Sequence, residues 1–176
     1  MDQSEWGASE PSFVVKDGTL YIYYEWTESG TLVATAPTGD PNWPGNVTFY
    51  EPPAIPKVIG EDSRDVKYID DLGLFVAVAV GNRFSNDSYI HVWKSVDGFS
   101  FIKADELRDN IEAQAHNVGI SGTCEGHIDL NLDNFIGYAY GPQQHDGTPD
   151  CWPTYLNPID FKSLVPISAI IFLLLK

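Results

Sequence analysis

One layout of residues occurs three times in this chain, and it limits the fold more than any other feature. In residues 10–25, E-P-S-F-V-V-K-D-G-T-L-Y-I-Y-Y-E, an apolar run leads through a polar turn into a second apolar run. Residues 64–79 (R-D-V-K-Y-I-D-D-L-G-L-F-V-A-V-A) and 125–141 (E-G-H-I-D-L-N-L-D-N-F-I-G-Y-A-Y-G) follow the same plan. Alternating apolar residues flanking Asp-Gly or a polar turn predict a β-hairpin, and the runs lack the i, i+3, i+4 spacing of a helix. Superimposed, the three copies place Glu10, then Arg64 with Asp65, then Glu125 with His127 at the head of a first strand.

The spacing between copies decides the architecture. Glu10 to Arg64 is 54 positions and Arg64 to Glu125 is 61. That suits a four-stranded propeller blade with long loops, somewhat above the usual roughly 40–50 residues. The expected fold is therefore all-β, a β-propeller with three blade-like units at about 8–50, 60–103 and 116–161 in one partial domain, residues 1–163. Nine Tyr, five Trp, 15 Gly and 12 Pro agree with strands and tight turns. A formal charge of −15 repels a phosphate backbone, so no nucleic-acid partner is expected, whereas neutral ligands and metal ions stay open.

In chain order, residues 10–25 form the first hairpin about a 16–19 turn, 31–35 a third strand and 49–50 a short fourth. Residues 51–60, with Pro52, Pro53 and Pro56, read as a connector between blades. The second hairpin pairs 66–69 with 74–80, residues 88–95 follow as a strand, and Asp97-Gly98 is turn chemistry. Residues 104–115 are the one helix-like stretch, polar enough to be a surface loop with one helical turn, 118–121 are strand or loop, and 155–161 supply an outer strand. Cys124 and Cys151 either pair or stand as two buried thiols. Residues 1–10 carry Asp2, Glu5 and Glu10 and no apolar core, so no signal peptide is expected. The apolar tail 164–176, broken by Pro166, is shorter than the roughly 20 residues a bilayer requires, so no membrane span is expected. It reads as a closing strand or as the product of a truncated reading frame.

The order Glu10-Pro11, then a K-D-G-x-x-Y-x-Y-Y hairpin, then Val33-Ala-Thr-Ala-Pro37, and later the G-x-x-x-G-H of residues 122–127, resembles the C-terminal part of a five-bladed propeller glycoside hydrolase. The group is the arabinanase-like clan, glycoside hydrolase family 43 and its relatives. That resemblance covers residues 8–160 and implies a carbohydrate ligand, a general-acid glutamate matched by Glu10, and a channel histidine matched by His127 near a metal ion, calcium. It implies a secreted or periplasmic location if further sequence precedes Met1. The blades that would carry the general base and an orienting Asp have no counterpart here. The three units then belong to a larger glycosidase, assemble with another copy through open sheet edges, or bind carbohydrate without cleaving it.

Asp65 either orients a sugar hydroxyl or is occupied as a cap or in a salt bridge to Arg64 or Lys67. Glu125, two residues from His127, shares its strand face and completes the catalytic candidates Glu10, Asp65 and Glu125. Trp26, Trp43, Trp93 and Trp152 offer flat rings for sugar stacking or for core packing, and Trp26 and Trp152 are taken as substrate-binding candidates. Arg83 is placed to bind substrate or bridge to a channel carboxylate, and His116 is a loop candidate for substrate contact. His145 lies in a turn-rich stretch.

Overall fold

A computed structural model describes residues 9–26, 28–42, 45–62, 64–141 and 152–164. Twelve strands among them form three sheets. The first is β1 (Ser9–Lys16), β2 (Thr19–Trp26), β3 (Gly30–Pro37) and β4 (Thr48–Pro56), in that order and antiparallel. The second is built from β5 (Asp65–Ile69), β6 (Leu74–Gly81), β7 (Tyr89–Ser95) and β8 (Ile102–Leu107), with the two-residue β10 (His127–Ile128) parallel to β5 at its edge. The third runs β9 (His116–Ile120), β11 (Phe135–Ala139), β12 (Thr154–Pro158). The fold is a partial β-propeller. No helix among the described residues is long and apolar enough to cross a membrane.

The middle sheet organises the core. Phe75 and Ala77 of β6 face the first sheet and pack with Val14, Tyr23, Val33 and Ile55. Val76, Val78 and Val80 face the third and pack with Val118, Ile120, Ile136 and Tyr138. Burial on both faces explains why Leu74–Val80 is an unbroken apolar run where half-exposed strands alternate. The Asp97-Gly98 turn is closed by Asp97, whose carboxylate accepts from the amides of Phe99 (2.8 Å) and Ser100 (3.0 Å). Gly98 takes φ +80, and the Tyr23 hydroxyl, donating to its carbonyl at 3.0 Å, would lie 2.8 Å from an added β-carbon.

Four expectations change. The connector 51–60 is half strand: β4 pairs with β3 at both ends, and a register shift lies between them where Pro52 and Pro53 have no N–H to give. Residues 104–107 lie in β8, because pairing with β7 outweighs the helical composition of that stretch. The third inner strand is β9, at His116–Ile120, and residues 125–141 are not one hairpin: β11 pairs with β9, while Ile128 and Leu130 turn into the core. Cys124 is exposed rather than buried. Cys151, Trp43, His145 and the tail beyond 164 lie outside the described residues.

Candidate functional site

Strand direction sorts the candidate residues into two groups on opposite ends of the sheets. β1, β5 and β9 lie side by side, tied by the Val66 amide donating to Ser12 Oγ (3.0 Å) and the Ile120 amide donating to Asp65 Oδ2 (2.7 Å). Their first residues surround a cleft of about 360 Å³ lined by Glu10, Pro11, Ser12, Arg64, Asp65, Asn117, Val118 and Gly119. Glu10 is exposed, and among the described residues its carboxylate has no hydrogen-bond partner. It stands on left-handed backbone, φ +46, at an irregularity of β1 between Ser9 and Ser12. Such bulges re-aim a side chain beside a site. Asp65 is engaged at both oxygens, one by the Lys67 ammonium and one by Ile120 N–H.

A second feature borders this cleft. His116, 1 % exposed, lies 4.7 Å from the Phe84 ring and 4.3 Å from the Trp152 indole, centroid to centroid. The buried Asp62 carboxylate holds the Arg83 guanidinium (2.8 Å) and the Asn117 amide (2.9 Å), joining cleft and aromatic cluster. Arg83, His116 and Trp152 are thus brought together. Trp26, at the end of β2, is exposed and does not line the cleft. Of seven non-glycine residues with positive φ among the described residues, five belong here: Glu10, Asn82, Phe84, Gln114 and Asn117. Strain of this kind persists where surrounding structure imposes it, and it concentrates at functional sites.

Behind the cleft lies a charge network, buried at Arg64, Glu61 and His91 and reaching the surface at Glu106, that the sequence reading passed over. Arg64 donates from Nη1 to both oxygens of Glu25 (3.0 Å each) and from Nη2 to Glu61. Glu61 also meets His91 Nδ1, and His91 Nε2 meets Glu106 at 3.0 Å. Lys103, with Arg108 and His91, holds the Glu106 carboxyl down to about 2. The signal for Arg64 and Glu61 was the dense charge of residues 61–65, E-D-S-R-D, between the Pro-rich stretch 51–60 and the apolar strand β5.

Glu125 and His127 lie at the other end. They line a separate depression of about 450 Å³ with Asp70, Asp71, Thr123, Cys124, Ile128, Asp129 and Asn131. They do not head an inner strand; they belong to a segment seated between the far ends of β1 and β5. The Val15 amide donates to the Glu125 carbonyl (2.8 Å), the Tyr68 amide to the Gly126 carbonyl (2.8 Å). His127 faces the Asp70 carboxylate with Nδ1 (2.6 Å) and the Val15 carbonyl with Nε2. Both partners accept, so both bonds form together only when the ring is doubly protonated, and neither nitrogen then has a lone pair for a metal. No group of three or more His, Cys, Asp or Glu side chains among the described residues is arranged to hold one. The residues present do not fit the expected metal at His127.

Burial of the His127 ring opposes its charge, but the Val15 carbonyl and the Asp70 carboxylate prevail and raise its pKa above 6.5. A raised folded pKa adds stability that is complete below the unfolded value and is lost as pH rises through the folded one. The melting temperature is therefore expected to fall as pH rises above about 6.5. His127→Gln should flatten that part of the profile, and an unchanged slope in the variant would refute this attribution.

No family model matches the chain, and no curated protein sequence does. Among solved structures it is similar to the catalytic domain of the Coprinopsis cinerea GH62 alpha-L-arabinofuranosidase, at TM-score 0.56 and 11 % identity. The match takes in 85 % of this chain and 52 % of that one, so the chain spans about half the length of the domain it resembles. At this identity the likeness is one of fold: the sheets of this chain are arranged as in a glycoside hydrolase catalytic domain.

Proposed function

We propose that the cleft at the strand heads binds a carbohydrate and that Glu10 is the group that protonates a glycosidic oxygen. The observation that carries this is the convergence of three inner-strand heads on one cleft in which Glu10 alone among the two lining carboxylates has its oxygens unengaged. In the reaction the bond from the anomeric carbon to the leaving oxygen breaks, that oxygen takes the Glu10 proton, and water supplies the hydroxyl to the sugar and its remaining proton to the second carboxylate. Such chemistry pairs two carboxylates about 5–9.5 Å apart. Asp65 is the other carboxylate of the cleft. The fold likeness to an arabinofuranosidase domain makes an arabinofuranoside the first substrate to try.

A second reading, binding without turnover, is favoured by one specific feature: Asp65 is held by Lys67 and by the β9 backbone, as a group that fixes structure. Release of arabinose from arabinotriose, whose sugar leaving group must be protonated, and calorimetric binding of the same trisaccharide separate the two. Hydrolysis by the wild type is expected to drop about 10²–10⁴-fold in Glu10→Gln with binding kept. Undiminished hydrolysis in that variant would remove Glu10 from the chemistry. Binding with no hydrolysis selects the second reading, and no binding to arabinotriose or a broader glycan panel refutes both.

A further inference from the structure

We propose that Phe84, His116 and Trp152 form an aromatic subsite for a second sugar ring beside the cleft, with His116 Nε2 accepting a sugar hydroxyl. This deepens the carbohydrate reading above and rests on it. His116 Nδ1 faces the Gln114 carbonyl at 3.3 Å, an acceptor, so the proton of the neutral ring belongs on Nδ1. Nε2 then carries a lone pair, and it is buried without a hydrogen-bond partner among the described residues. A buried acceptor left unmet is uncommon in a folded chain and calls for an explanation. A hydroxyl donor is the missing group.

The surroundings specify what kind of molecule brings it. Trp152 is 41 % exposed and offers a flat apolar face of the sort that sugar C–H groups stack on. Arg83, 47 % exposed at its side chain, stands over the Phe84 ring at 5.0 Å and supplies N–H donors at the rim. Apolar faces ringed by single hydrogen-bonding groups match a neutral saccharide, with its apolar C–H faces and hydroxyl edge. The spacing to the cleft is fixed, because Asp62 clamps both Arg83 and the amide of Asn117, which lines the cleft next to His116. Nε2 is out of solvent contact in this conformation, so occupancy requires the Trp152 indole to turn aside.

The test is a titration of the full chain with arabinotriose, followed by nuclear magnetic resonance. The His116 Nε2 and Trp152 indole signals, assigned with His116→Gln and Trp152→Phe, are expected to move with the same saturation curve as the Asn117 and Gly119 amides. Trp152→Ala is expected to weaken binding about five- to tenfold and Trp152→Phe less than about twofold. Cleft amides that shift while His116 and Trp152 stay still overturn the subsite and leave the cleft reading intact. No shift at either place overturns both. Should Trp152→Ala fail to fold, the wild-type shifts and the Trp152→Phe affinity decide.

Discussion

Replacing Arg64 with alanine is expected to cost about 3–5 kcal/mol of folding stability. The Arg64 side chain is 1 % exposed, Glu61 is 1 % exposed and Glu25 is 19 % exposed. A buried pair does not owe its effect to Coulomb attraction alone; removing one partner strands the others in a medium that disfavours charge. Here one guanidinium serves two carboxylates from different units, Glu25 at the end of β2 and Glu61 before β5. Its loss leaves two negative charges against each other. Urea denaturation of Arg64→Ala, and of Arg64→Met as a volume-matched control, measures the cost. The Met variant should be nearly as unstable as the Ala variant, and adding Glu25→Gln and Glu61→Gln should recover much of the difference. A loss below about 1 kcal/mol would mean that water reaches the network and screens it.

Much of the fold is legible because its signals are local. Asp17-Gly18 between alternating residues gives the first hairpin, and the unbroken Leu74–Val80 run gives a strand covered on both faces. The third unit is where local signals divide. Residues 116–120 and 127–130 each bury alternate residues, Val118 and Ile120 in one, Ile128 and Leu130 in the other. Either pattern suits an inner strand, and which one pairs with Phe135–Ala139 depends on contacts with β5 and β6 that no short window contains. That choice carried the candidate site with it. Placing the third head at Glu125 separates His116 and Asn117 from Glu10, whereas β9 brings Asn117 into the same cleft. Arg83, His116 and Trp152 were recognisable as types, but their meeting depends on Asp62, a residue whose neighbours in sequence give no hint that its carboxylate spans two units.

Gly126→Ala is the second change expected to have a large effect, about 2–4 kcal/mol. Gly126 has φ +81, a conformation in which an L-residue meets roughly 1–2 kcal/mol of strain. An added β-carbon would also overlap the Phe13 carbonyl oxygen and lie 3.1 Å from Val14 Cα, both backbone atoms of β1 that cannot swing away. The segment must then withdraw from between β1 and β5. Withdrawal breaks the bonds from Val15 N–H to Glu125 and from Tyr68 N–H to Gly126, each contributing on the order of 1 kcal/mol. It also takes His127 from Asp70 and the Val15 carbonyl. Two readouts should therefore change together: the urea midpoint falls, and the decline of melting temperature above about pH 6.5 is lost as it is in His127→Gln. A variant with near wild-type stability would show that the segment does not bind these strands closely. Lower stability with the pH profile intact would separate His127 from the wedge and return its raised pKa to Asp70 alone.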